Sequence, residues 1–150
     1  MQSHKLDKND YQALAEFRYR IRAFLSFSEQ SAHAIGLEPQ QHQLLLIVEG
    51  FGHDGRLTIG ELAKRLKVRH HSAGELVNRA EASGLVERAR AEDDRRHVYV
   101  RLTERGEKVL RELSIHHLEE LRSNGPALVR SLTKLFQVRR ENESQDLEQR

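Results

Sequence analysis

Between residues 58 and 106 the spacing of apolar residues changes character, and this limits the possible fold more than any other feature of the chain. Thr58 stands three residues before Glu61, the spacing at which a threonine hydroxyl caps a helix start and the glutamate reaches back to it. Ile59, Leu62, Ala63 and Leu66 follow at steps of three, one and three, so they form one stripe along a short helix. After Lys67, Val68 and Arg69, a second set with the same steps appears at Ala73, Leu76, Val77 and Ala80. Gly84 then offers a residue free to take positive φ where that helix must close. From Leu85 the period drops toward two. An outgoing strand leads into Glu92, Asp93, Asp94, Arg95 and Arg96, and Val98, Val100 and Leu102 alternate with Tyr99 and Arg101 on the return.

Two short helices, a charged hairpin and a new helix starting at Thr103 and Glu104 make a winged helix-turn-helix. The fold class expected is mainly α with a small β-hairpin wing (α+β). With its apolar residues assigned to the core, the second helix is left with His70, His71, Ser72, Gly74, Glu75, Asn78 and Arg79 toward solvent. Asn, Arg, Ser and His side chains read base edges when a helix lies in the major groove, and neighbouring basic groups hold phosphates. Arg88 and Arg90 on the outgoing strand join them, and Arg95 and Arg96 stand at the hairpin tip, where an arginine can enter a narrow minor groove. Any one of these residues, taken alone, is better read as the wet side of an amphipathic helix or a charged turn. Their membership in one topology is what points to double-stranded DNA as partner.

Four segments carry a likeness to a known family. They are Leu57-Thr58-Ile59-Gly60-Glu61-Leu62-Ala63, then Val77-Asn78-Arg79 ahead of Ser83-Gly84-Leu85-Val86, then the Asp94-Arg95-Arg96 tip, and finally Val100-Arg101-Leu102-Thr103-Glu104-Arg105-Gly106. On these residues the chain resembles the MarR-type transcriptional regulators. The resemblance implies that Arg96 is the minor-groove residue and Asp94 the partner that orients it. It implies a homodimer on a pseudo-palindromic operator, more often a repressor than an activator, modulated by a small aromatic or anionic ligand held between the dimer helices and the DNA lobe. Two departures stand out. Arg69 occupies the position where the family often has a serine cap, so the second helix is expected to start late or to be capped by Ser72. Gly74 sits inside that helix at a cost of about 1 kcal/mol relative to alanine.

Outside this module the chain reads as helices. Asp10 is expected to cap a long first helix through Leu14, Phe17, Ile21, Phe24 and Leu25, ending near Ile35. Pro39 suits the first turn of a short helix reaching Phe51, apolar on nearly all sides at residues 44–48. After Gly106 a helix runs to a break at Asn124-Gly125-Pro126, a last helix uses Leu128, Leu132, Leu135 and Phe136, and the polar chain from Arg139 is expected to fray. The organisation expected is one MarR-like domain over residues 1–150, with dimerisation helices at 10–36 and 107–144 around a DNA-binding lobe at 40–106. A wing module alone has no use for three further apolar stripes, and interlocking with a second copy would cover them.

Charge supports the placement of the lobe. The chain carries a formal +2, but residues 56–106 hold twelve Lys and Arg against eight Asp and Glu. With no cysteine, disulfides, thiolate metal sites and thiol-based peroxide sensing are excluded. No apolar stretch suggests a leader or a membrane span, and a cytoplasmic protein is expected. Arg18, Arg22 and His42 fall on helices that would line an effector cleft, where an arginine can pair with a carboxylate. Nine histidines raise the alternative of a metal-responsive regulator using His33, His42, His116 and His117. Against it, adjacent helical residues point about 100° apart, and no His-x-x-x-His pair is present, so no metal site and no cofactor is assigned. No cysteine nucleophile, phosphate-binding glycine loop or His-Glu-x-x-His sequence suggests an enzyme. The more serious rival is a winged-helix module that binds another protein and never touches DNA.

Overall fold

A computed structural model describes residues 6–91 and 96–148, with side chains as far as residue 137. Its elements in chain order are α1 (Lys8–Ala34), α2 (Pro39–Phe51), a single 3-10 turn (His53–Gly55), β1 (Leu57–Thr58), α3 (Ile59–Leu66), α4 (His70–Ala82), β2 (Val86–Arg90), β3 (Val98–Leu102) and α5 (Glu104–Glu148). The chain divides into two compact units. Glu29–His116 forms one, called the lobe below, and Met1–Ser28 with His117–Arg150 forms the other, the helical unit.

The lobe is built as the periodicities require. Thr58 Oγ1 accepts from the Glu61 backbone N–H at 3.2 Å while Glu61 Oε2 accepts from the Thr58 N–H at 3.1 Å, and α3 starts there. Lys67, in the left-handed region at φ 55°, ends it. Helix α4 begins at His70 with Arg69 in the cap position and no side-chain cap bond. It therefore starts neither late nor on Ser72, because Arg69 takes an extended φ/ψ and its carbonyl already accepts from the Ala73 N–H at 3.0 Å. Gly84 at φ 71° turns the chain into β2, and the Leu85 N–H closes on the Ala80 carbonyl at 2.9 Å.

The sheet has three antiparallel strands in the order β1-β3-β2. The wing pair runs in register from Val86 opposite Leu102 to Arg90 opposite Val98, and the two-residue β1 pairs Leu57 with Val100. β1 is a strand that the sequence does not announce. Two residues have no periodicity, and only pairing with β3 makes them one. The lobe's core gathers Leu44, Leu45, Leu57, Leu62, Val77, Leu85, Val86, Val100 and Leu113, all essentially removed from solvent.

At the exit of the wing, the sequence Thr103-Glu104-Arg105-Gly106 has a mechanical cause. Thr103 Oγ1 donates to the Gly84 carbonyl at 2.6 Å and accepts from the Gly106 N–H at 3.1 Å, so one hydroxyl ties the start of α5 to the turn after α4. The Arg105 guanidinium adds a bond to the Ser83 carbonyl at 2.8 Å. A Cβ on residue 106 would run into the backbone carbonyl of Leu85, so only glycine lets α5 lie this close.

Three further helix boundaries differ from expectation. The cap of α1 is Asp7, whose Oδ1 accepts from the N–H groups of Asn9 and Asp10 at 2.7 and 3.0 Å, while Asp10 Oδ2 accepts from the Asp7 N–H at 2.8 Å. Asp10 is thus the reciprocal partner and not the cap. No break occurs at Asn124-Gly125-Pro126, because α5 continues through Pro126. The proline removes a single N–H, and Leu121, Leu128, Leu132 and Leu135 keep one phase across it, at steps of seven, four and three. Asn124 Nδ2 also bonds Glu120 Oε1 at 2.7 Å, one turn back. Finally, the helix extends to Glu148 where fraying from Arg139 is expected; the segment is rich in residues of good helix propensity such as Arg, Glu, Gln and Leu.

Candidate nucleic-acid interface

Burial of Ala73, Leu76, Val77 and Ala80 fixes the rotation of α4 about its own axis, and with it the face that meets solvent. His70, His71, Glu75, Asn78 and Arg79 are exposed on that helix, and Ser72 is half-buried. The face is not a row of independent side chains. His71 Nε2 lies 3.2 Å from Glu75 Oε1, one turn along. Arg79 reaches Glu38, at the start of α2, at 3.7 Å. Asn78 accepts a hydrogen bond from Arg88 of β2.

Arg88 is the residue whose setting differs most from a solvent-facing strand position. It is half-buried, with Nη1 on Glu81 Oε1 at 2.9 Å and Nη2 on Asn78 Oδ1 at 2.6 Å, and its backbone N–H donates to Glu81 Oε2 at 3.2 Å. The wing is therefore fastened to the last turns of α4 by one side chain. Arg90 is exposed at the end of β2, and beyond it the Ala91 N–H donates to the His97 carbonyl at 3.1 Å, keeping the hairpin paired toward its tip. Arg96 is exposed on the turn side of His97, whose ring stacks on Tyr99 with centroids 6.5 Å apart. Asp94 and Arg95 lie outside the described residues.

Sequence reasoning did not pick out Arg56 and Arg101, which line a groove beside the wing together with Asp54, Arg90 and Tyr99. The alternation in β3 does put Arg101 on the face opposite the buried Val100, and its Nε donates to the Gly55 carbonyl at 3.0 Å. A second basic surface was also missed, where the Arg65 guanidinium lies 3.3 Å over the exposed Phe51 ring beside Lys64 and Lys67.

The three residues expected at an effector cleft are divided between the units. Arg18 and Arg22 are exposed in the helical unit, whereas His42 is buried in the lobe. Within the helical unit a cavity of about 180 Å³ is lined by Tyr19, Arg20, Phe24, Glu120 and Asn124. Its arginine is Arg20, held by Glu16 at 2.9 Å and set over Tyr19. His117 bonds Ser28 Oγ at 2.8 Å, edge-on to Phe24 and Phe27. Among the described residues, no group of three or more His, Asp or Glu side chains is placed to hold a metal ion, and no helix is long and apolar enough to cross a membrane.

Comparison with known proteins places this geometry. Residues 35–97 match the model of the MarR family. Over 75 residues the chain is 35% identical to an uncharacterized HTH-type transcriptional regulator, YfiV, of Bacillus subtilis (strain 168), a match spanning 50% of this chain and 44% of that protein's length. The chain thus spans less than half of that relative. Among solved structures, AbsC, a MarR family transcriptional regulator from Streptomyces coelicolor, superposes with a TM-score of 0.72 at 22% identity over 99% of this chain and 100% of its own. MepR of Staphylococcus aureus in complex with DNA gives 0.66 at 19% identity over 87% and 94%. The sequence of the lobe and the fold of the chain agree: residues 35–97 match the MarR family model, and the chain shares the winged helix-turn-helix fold of MarR family regulators.

Proposed function

We propose that this chain acts in the cytoplasm as a sequence-specific transcriptional regulator that binds double-stranded DNA as a homodimer. The observation that carries the reading is the pairing of two exposed features on one lobe: the polar face of α4 and Arg96, in the turn just ahead of β3. Helix α4 reads the major groove through His70, His71, Ser72 and neighbouring residues, and Arg96 enters the minor groove beside it, with Asp94 and Arg95 completing the tip. Support comes from the fold that this chain shares with MepR, which is itself seen on DNA. The helical segments flanking the lobe serve as the dimer contact. They set two copies of α4 about 34 Å apart, so the operator is a pseudo-palindrome. Occupancy of such an operator blocks transcription, and a small aromatic or anionic molecule relieves it by pairing its carboxylate with Arg18 or Arg22.

The test is selection from a random-sequence DNA pool at two salt concentrations, with wild type beside Arg96→Ala. The expected result is an enriched palindrome bound by wild type with steeply salt-dependent affinity, and a loss of about tenfold or more in the variant, the cost of removing one well-placed arginine contact. If no sequence is enriched and Arg96→Ala behaves as wild type, the protein-binding alternative takes over.

A further inference from the structure

Arg88 has the residue type and the location of a phosphate contact, yet all of the contacts described for it turn inward. Its two terminal nitrogens are committed to Glu81 and Asn78, and its backbone N–H to the other oxygen of Glu81. Glu81 and Asn78 are three residues apart on α4, hence on one face, and together they form a fork that matches the planar guanidinium. An arginine reaching for a phosphate would have to break a charge-assisted pair and give up the 2.6 Å bond to Asn78 Oδ1. Asn78 is equally constrained. With Oδ1 engaged, its amide is turned toward the wing and is not presented as the bidentate pair that reads adenine.

We propose that Glu81, Asn78 and Arg88 form a strut that fixes the angle between the recognition helix and the wing, and that Arg88 and Asn78 are positioning residues for DNA binding. The inference rests on the DNA-binding reading above and changes the role of two residues within it. A dimer must place two α4 helices and two wings on one operator at once, so an error in the angle is felt at both half-sites.

The charges make the test sharp, because Glu81 has the wrong sign to touch DNA. If electrostatics alone governed binding, Glu81→Gln would remove a negative charge from a DNA-facing lobe and tighten the complex. The strut predicts the opposite. Affinity for the operator recovered in the selection should fall about tenfold, the size of coupling expected between residues in direct contact. Hydroxyl-radical protection of the minor groove by the wing should weaken, while protection of the major groove by α4 persists. Adding Asn78→Asp to Glu81→Gln returns a carboxylate to the fork and should restore both affinity and wing protection. Arg88→Lys supplies the independent check. A lysine serves a phosphate well but cannot span two acceptors, so it should bind as weakly as Glu81→Gln. Wild-type or tighter binding by Glu81→Gln, no rescue by Asn78→Asp, or normal binding by Arg88→Lys each overturns the strut while leaving the DNA-binding reading in place. A wild type that enriches no DNA sequence overturns both.

Discussion

The lobe holds more aliphatic sequence than the helical unit and uses it differently. In the lobe, leucines and valines from four helices and three strands converge until nine of them are essentially out of solvent. In the helical unit Tyr11, Leu14, Tyr19, Leu25, Leu118, Val129 and Phe136 remain exposed, with Phe136 at 64% and Val129 at 63%. Two helices cannot enclose a core as a sheet backed by four helix segments can, so many apolar side chains of α1 and of α5 beyond residue 116 are left on the outside. A winged lobe that must grip DNA gains from being rigid by itself. On the dimer reading proposed above, the helices of the other unit gain from keeping apolar residues outward.

The difference can be broken from either side. The largest effect is expected from Leu44→Ala, which empties a wholly buried position in the lobe and should cost about 2–5 kcal/mol in denaturant unfolding. A cost below about 1 kcal/mol would mean that the lobe is not the independently packed unit described. Next comes Leu118→Glu combined with Val129→Glu, at positions already exposed within one chain. Sedimentation should show a dimer giving way to a monomer, with association weakened about a hundredfold or more because two carboxylates would be buried unpaired. Unchanged sedimentation would remove these helices from the contact. The smallest change is expected from Thr58→Ala, which deletes the cap of α3 and should cost about 1 kcal/mol by the same unfolding measurement. Its effect on self-association should be nil, and a dimer weakened by this variant would show the two units to be coupled.

Where the cause was local, residue type and spacing were mostly enough, the cap of α1 at Asp7 in place of Asp10 being an exception. The cap of α3 at Thr58, the turn at Gly84, the stripe on α4 and the alternation of β3 each rest on interactions between residues a few positions apart, and each appears where expected. Pro126 is the instructive failure. Its effect on its own turn is unfavourable, but the apolar phase on either side of it is shared, and α5 passes through. No local rule weighs those two against each other.

The candidate interface divides along the same line. That α4 would show His70, His71 and Asn78 to solvent followed from which residues had to be buried, a question the periodicity answers. That Arg88 would fold back on Glu81 and Asn78 did not, because the partners are seven and ten residues away and meet only once β2 has packed beside α4. The same holds for β1, created by pairing across more than forty residues, and for the closeness of Gly106 to Leu85. The sequence by itself determined the order and type of the elements other than β1 and the unbroken α5, since capping, turn conformation and amphipathic period are written within a few residues. The tertiary structure alone decided which polar side chains hold one element to another, because a hydrogen-bond partner is chosen by position in space, and separation along the chain does not record it.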